Sequence, residues 1–323
     1  MSKALVTGIT GQDGTLLSRR LVAEGHDVHG LVLSETEDTI ARLPAGVTLH
    51  AGNLGDSDRV RQVILEVAPD EIFNLGGQSS VATSWHDPVG TMQATAMGAC
   101  AVFQGASELQ ERSGEFVRVL QPSSAEIFGS ADHVPQTEDT AIRPVSPYGV
   151  AKASAHHLAK VYRAQGLFVA AVILYNHEST LRPDTFVTRK ISKGVARIAV
   201  EGGGMLALGN LESSRDWGWA EDFVEAMLRA IRHDRADDFV VATGQAHSVE
   251  EFVAAAFAHV GIVNWRDHVT VDPRLVRPTE AVVQVGDASK ARRELGWSPT
   301  VPFAQIPARM VEHDVRTQRD RIT

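Results

Sequence analysis

Three glycines near the start of the chain, Gly8, Gly11 and Gly14 in "GITGQDG", constrain the fold more than any other feature. They follow a short apolar run, "KALVTG" (3–8), and lead into "GTLLSRRLVAEG" (14–25), where Leu16, Leu17, Leu21 and Val22 recur at helical spacing before Gly25. Strand, glycine turn and helix in that order open a βαβ unit. Glycine permits the tight turn and a close approach of backbone to ligand. The helix N-terminus adds free amides and a positive dipole end, which suit a pyrophosphate. The spacing alone also fits a plain glycine turn; its place between a strand and a helix favours dinucleotide binding.

The alternation continues. "DVHGLVL" (27–33), "VTLHAGNL" (47–54), "EIFNLGG" (71–77), "FVRVLQPSS" (116–124) and "FVAAVILY" (168–175) read as strands. Helices are predicted over 56–69, capped by Asp56 or Ser57, and over 91–109 and 146–166. Continuous apolar strands alternating with helices imply a parallel sheet covered on both faces. The fold class is therefore α/β, a doubly wound parallel sheet with a smaller C-terminal substrate-binding lobe. Residues 1–176 form the dinucleotide-binding domain, with 216–246 returning to it; 177–215 and 247–323 form the lobe.

Composition removes whole classes of function. A net charge of −9 over 323 residues is unsuited to a nucleic-acid footprint. The densest basic run, "KARRE" (290–294), is broken by Ala291 and Glu294 and reads as a solvated helix face. A single cysteine, Cys100, excludes an internal disulfide and a multi-cysteine metal site, and its apolar setting reads as a buried structural thiol. His156, His157 and His177 form no metal pattern; the first two read as helix-surface or packing residues and the third as pocket wall. The opening "MSKALVTG" leaves no room for a signal peptide, and no window offers the ~20 apolar residues of a membrane helix. The expectation is a cytoplasmic protein without membrane or nucleic-acid partners.

Two stretches carry chemistry. "SPYGVAKASA" puts Tyr148 and Lys152 four apart on one helical face. A tyrosine titrates near ~10 when free; a neighbouring ammonium and a nicotinamide cation would favour its phenolate and make it a base. On most helices this spacing is only a surface pair. Here it lies downstream of a dinucleotide fingerprint, in a fold whose carboxyl sheet edge gathers such groups. "QPSSAEIFG" (121–129) places Glu126 at the tip of a strand between Ala125 and Ile127, where a carboxylate in apolar surroundings needs a reason.

Taken together, the fingerprint, "NLGGQSSV", "QPSSAEIFG", Tyr148 with Lys152, "YNHEST", "TFVTRKI", "LGNLESSRDWGWAEDFVEAM", "VATGQAHSVEEFV" and "RPTE" resemble an extended short-chain dehydrogenase/reductase of the Rossmann type. The chain is most similar to the GDP-mannose 4,6-dehydratase family, from residue 3 to about residue 300. The resemblance implies a lyase cycle with a bound nicotinamide. Tyr148 takes the 4-hydroxyl proton as C4 gives up hydride, and Lys152 holds Tyr148 reactive. Glu126 then removes the C5 proton and helps expel the C6 hydroxyl, after which hydride returns to C6 and a proton to C5. Sugar 4-epimerases on this fold carry an apolar residue at the position of Glu126. The rival readings are therefore a nucleotide-sugar epimerase or reductase, which Glu126 weighs against, and a non-catalytic dinucleotide-sensing protein, which the retained Tyr148 and Lys152 weigh against.

The family's positions carry over residue by residue. Ser124 joins the catalytic group. Gly8, Gly11, Gln12, Asp13, Gly14, Ser34, Asn53, Leu54, Leu75 and Gly76 are implied to bind the cofactor together with Tyr148 and Lys152. Ser79, Asn176, Val187, Lys190, Arg215, Arg277 and Glu280 are implied to bind the GDP-sugar together with Ser124 and Glu126; taken singly, each arginine would be an ordinary surface charge. Departures are also visible. Ala125 replaces a serine, "NHESTLRPDTF" replaces N-H-E-S-P-R-R-G, and Leu33 and Ser34 stand where paired arginines hold an NADP 2′-phosphate. NADP is expected, with NAD possible, because Glu35 and Glu37 lie nearby. The short acidic loop with only Arg42, and the small residues Ala94, Ala96, Gly98, Ala151, Ala153 and Ala155, predict a homodimer.

Overall fold

A computed structural model describes residues 2–34, 36, 40–275 and 283–320. Seven parallel strands form the main sheet: β1 (Lys3–Thr7), β2 (Asp27–Val32), β3 (Thr48–Ala51), β4 (Glu71–Asn74), β5 (Arg118–Ser124), β6 (Phe168–Leu174) and β10 (Asp238–Val241). Their order is β10-β6-β5-β4-β1-β2-β3. The order reverses at β1, which pairs with β2 on one side and β4 on the other. The carboxyl ends of β1 and β4 therefore border the crevice where this architecture holds its ligands.

The sheet is buried because its strands are apolar on both faces; every residue of β6 is buried. One face is covered by α1 (Gln12–Ala23), α8 (Ala220–Ile231) and α10 (Ser289–Leu295), through Leu17, Leu21, Phe223, Met227 and Leu295. The other is covered by α2 (Ser57–Val67), α5 (Gly98–Ser113) and α6 (Pro147–Ala164), through Ile64, Phe103, Ala155 and Ala159. Local rules set the helix starts. The Asp56 carboxylate accepts from the Arg59 amide, and Ser146 accepts from the Gly149 amide with Pro147 as first helical residue.

The helix predicted over 91–109 is present, and it carries a π-helical turn. α3 (Val81–His86) and α4 (Pro88–Met92) precede a π-helical turn at Gln93–Met97, and only then does α5 begin. The wider turn seats Thr95 against Gly77, which has φ +142°, and Gly98 against Leu54.

The lobe has its own core. β7 (Asn176–Glu178) pairs with β9 (Ser214–Trp219), which also pairs with β11 (Ala246–Ser248) and β13 (Val283–Gln284). β8 (Leu206–Leu208) pairs with β12 (Val269–Val271). α7 (Val187–Glu201), α9 (Val249–His259) and α11 (Gln305–Asp320) enclose Ile191, Trp217, Phe252 and Met310. β10 pairs with β6 in the large sheet, whereas 214–219 lies in the small one. α10 packs back on the large sheet, and Trp297 beyond it donates from Nε1 to the Asp222 carbonyl at 2.7 Å.

Two sequence expectations need correction. Ala96, Gly98, Ala151, Ala153 and Ala155 are buried inside the protomer, so these small residues let its own helices pack closely. Cys100 is half-buried beside Tyr162 and not fully enclosed. Among the described residues no helix is long and apolar enough to cross a membrane, and no cluster of three metal-binding side chains occurs.

Candidate active site

The fingerprint glycines are required by contact. A Cβ on Gly8, whose φ is +66°, would lie 2.7 Å from the Gly76 Cα, and one on Gly14 would lie 2.4 Å from the Gly8 carbonyl oxygen. These positions bring the loop after β1 against the loop after β4 and seat α1 on the first of the two. Gly11 is the N-cap of α1 and, lacking a side chain, makes no capping hydrogen bond. The first-turn amides and the positive end of the dipole are thus left for an anion. Leu54 closes on Gly76, and the Gly76 amide donates to Thr7 Oγ1 at 2.9 Å. Thr7 donates to Asn74, and Asn74 to Gln121, so one buried chain of hydrogen bonds links the ends of β1, β4 and β5. Asn53, Leu54, Leu75 and Gly76 therefore share the same sheet edge, and Ser34 lies exposed beyond β2.

At the end of β5, Ser124 starts a one-turn 3₁₀ segment, Ala125–Ile127, and its hydroxyl accepts from the Glu126 amide at 3.3 Å. Ala125 and Ile127 turn into the core and leave the half-buried Glu126 at the tip. Glu126 is not surrounded by apolar groups alone. Nε2 of Gln284 on β13 donates to its Oε1 at 3.4 Å, and Gln284 is only 1% exposed. Nothing in "VVQVGD" signals that contact in the sequence. A Cβ on Gly149 would lie 2.7 Å from the Glu126 carbonyl oxygen, so the start of α6 packs directly on this turn.

That packing brings Tyr148 to Ser124 and Glu126. Burial pushes the Tyr148 phenol up to about 12; a hydrogen bond with Ser124 pulls it down and the Glu126 charge pushes it up. Burial pushes the Lys152 ammonium down to about 8, with Asp13 opposing. Lys152 donates to the Pro122 carbonyl at 3.1 Å and lies 5.9 Å from the Tyr148 ring centroid. The sequence reading has the ammonium making Tyr148 acidic. In the protein itself, burial dominates, and the groups that pull Tyr148 down are Ser124 and Arg182.

The remaining positions divide. Asn176 is on β7, Val187 and Lys190 are in the first turn of α7, and Ser79 is exposed in the loop after β4. Arg215 on β9 is 8% exposed and donates to the Ser214 carbonyl at 2.8 Å. Arg277, Glu280, Glu35, Glu37 and Asp38 lie outside the described residues. Gln12 and Asp13 face β7 with their side chains: Gln12 Nε2 donates to the His177 carbonyl at 3.1 Å, and Asp13 meets the His177 ring at 3.0 Å. The sequence reading also overlooks Arg182. Its guanidinium stacks over Phe186 at 3.7 Å and pairs with Glu178 at 3.1 Å. Arg182 lines a cavity of about 690 Å³ together with Thr10, Gly11, Gln12 and Arg42.

A family model described as "GDP-mannose 4,6 dehydratase" matches residues 5–310. GDP-mannose 4,6 dehydratase 1 of Arabidopsis thaliana is 41% identical over 99% of this chain and 91% of its own length. The human GDP-mannose 4,6 dehydratase is 38% identical over 98% of this chain and 92% of its own. Among solved structures, dTDP-glucose 4,6-dehydratase from Bacillus anthracis in complex with NAD superposes with a TM-score of 0.82 at 18% identity, covering 99% of this chain and 98% of that one.

Proposed function

This chain belongs to the GDP-mannose 4,6-dehydratase family, and from that premise we propose that it converts GDP-mannose, or a close GDP-sugar, into the GDP-4-keto-6-deoxy sugar. The observation that carries the reading is the meeting of Glu126 with Ser124 and Tyr148 at the end of β5. An epimerase or reductase needs the tyrosine and lysine but has no use for a carboxylate at that tip.

A bound nicotinamide would supply the acceptor for hydride from C4 and the donor for its return to C6. The uncapped first turn of α1, the loops at Asn53–Leu54 and Leu75–Gly76, and Lys152 would hold that cofactor; their fit rests on amides that no side chain caps. Tyr148 then receives the 4-hydroxyl proton, with Ser124 donating to the same oxygen. The 4-ketone so formed acidifies C5. Glu126 takes the C5 proton and delivers a proton to the departing C6 hydroxyl, one carboxylate serving as base and then acid; the proton that Tyr148 took from the 4-hydroxyl balances the one C5 regains when C6 is reduced. Asn176, Val187, Lys190 and Arg215, with Arg277 and Glu280, would hold the nucleotide-sugar in the lobe; arginine's forked donors suit a diphosphate. The test is product mass after incubation with GDP-mannose and, separately, a GDP-heptose. Loss of one water from at least one of them is expected. No water loss from any GDP-sugar, with turnover of a UDP-sugar, would overturn the reading.

For the cofactor, Ser34 offers at most one neutral hydrogen bond where an arginine pair would give bidentate contacts. Arg42 is a basic residue on the cavity that also includes Thr10 and Gly11. NADP and NAD are expected to bind within about tenfold of each other, or ~1.4 kcal/mol, with NADP ahead. A hundredfold preference in fluorescence titration, either way, would contradict this.

A homodimer is also part of the proposal, on different grounds from the small residues. Trp85, Val89 and Met97 are 53%, 65% and 54% exposed on α3, α4 and the π-helical turn, and Val150 on α6 is exposed too. Such an apolar face on a folded protein needs a partner, and a second copy brings the same face. Light scattering should return a dimer, and Trp85→Glu should shift it to monomer. A tetramer that Trp85→Glu leaves intact would refute the assignment.

A further inference from the structure

The side chains that open α1 are engaged elsewhere than the sequence pattern implies. Gln12 donates to the His177 carbonyl at 3.1 Å and accepts from Ser179 Oγ at 2.8 Å. The Asp13 carboxylate accepts from Gln12 Nε2 at 3.1 Å and meets His177 Nε2 at 3.0 and 3.1 Å. The other ring nitrogen, Nδ1, faces the Tyr175 carbonyl at 2.8 Å. The ring itself is stacked on Phe223 with centroids 4.6 Å apart. Both nitrogens thus face acceptors, and only the imidazolium can donate to both.

We propose that Gln12, Asp13 and His177 are positioning residues that strap β7, and with it Asn176, onto the first turn of α1. The inference rests on the functional reading above only in naming the sugar that Asn176 would meet. Its chemical purpose follows from geometry. Hydride transfer needs the reacting atoms ~3–3.5 Å apart, and a 1 Å displacement can cost ~10²-fold in rate. The first turn of α1 would hold the dinucleotide, and β7 would hold the sugar. A strap between them fixes the one against the other.

Electrostatics agree with the contacts. Burial alone would raise Asp13, but the His177 charge and hydrogen bonds overcome it and hold its pKa at about 2. Burial would lower His177, but the Asp13 charge and hydrogen bond leave it raised. The other charged groups acting on the pair are Arg182, from the loop after β7, and Lys152 of α6.

The test is a double-mutant cycle of Asp13→Asn and His177→Gln, with Asp13→Glu as the conservative partner. Calorimetric Kd values for NADP and for GDP-mannose, kcat, and hydrogen exchange at the 176–178 amides are read on each. Each single variant should lose ~10-fold or more in kcat/KM for the sugar while NADP affinity changes less than about threefold. The double should be no worse than the worse single, since the two act as a unit. Asp13→Glu should recover part of the loss, and exchange at 176–178 should quicken in the singles alone among the strands. Tenfold loss of NADP affinity with sugar binding intact would overturn the proposal and return Asp13 to the cofactor; so would losses that multiply in the double. If His177→Gln fails to fold, Gln12→Glu, which sets a second carboxylate beside the His177 carbonyl, completes the cycle with Asp13→Asn. If wild type ignores GDP-mannose, the substrate reading falls, and unchanged exchange at 176–178 would still refute the strap.

Discussion

Glu126→Gln removes dehydration, by ~10²-fold or more, while leaving fold and cofactor affinity unchanged. The two side chains have nearly the same shape, and the amide can still face Gln284. The turn that presents residue 126 depends on its backbone, through the Ser124 hydroxyl and the packing of Gly149 on the carbonyl. Ala125 and Ile127, which anchor it in the core, are untouched. What disappears is the ability to accept the C5 proton and to give one up to the C6 oxygen. Oxidation at C4 needs Tyr148, Lys152 and Ser124 but not Glu126, so the variant should still pass hydride from C4 and hold the 4-keto hexose, up to one equivalent per bound nicotinamide reduced, without losing water. Mass spectrometry of the sugar separates these outcomes. Water loss at a rate near that of the parent would take Glu126 out of the mechanism.

The parts legible in the sequence are those fixed by neighbours along the chain. Strand β6 announces itself because both faces are buried and "FVAAVIL" is apolar throughout. Gly8 and Gly14 are legible because the turn they make is local, and Tyr148 and Lys152 because a helix sets their spacing. What escapes is pairing over long separations. Gln284 reaches Glu126 across 158 positions because β13 pairs with β9 in the lobe. Asp13 reaches His177 across 164. The same blindness explains the small residues of α6: spacing can show that Ala151 and Ala155 share a face, but only tertiary packing decides that the face is internal. It also explains α10, whose charged surface hides that Ala291 and Leu295 return to the large core.

Tyr148→Phe should abolish the reaction one step earlier, with no 4-keto sugar and no lost water, a fall of ~10²–10⁴-fold. The cost of making a phenolate sets the size of this effect. Burial holds Tyr148 at about 12 in the protein itself, and moving it to neutrality is worth about 7 kcal/mol. That difference has to come from positive charge at the site and from the sugar hydroxyl arriving at the same oxygen. The protein contributes the Ser124 hydrogen bond and the Arg182 charge, and the Lys152 ammonium 5.9 Å from the Tyr148 ring centroid. The Lys152 pKa of about 8 lies below the ordinary 10.5, so the ammonium is present below about pH 8 and lost as pH rises through it. Below that point the charge favours phenolate; above it the help is gone. Wild-type kcat/KM should therefore fall above about pH 8, and Lys152→Met should run at a lower plateau without that fall. The phenyl ring of Tyr148→Phe fills the same buried space and lacks only the hydroxyl, so its melting temperature should stay close to the parent's. A Tyr148→Phe protein that folds, binds GDP-mannose and still oxidises C4 at the parental rate would strip the tyrosine of its role.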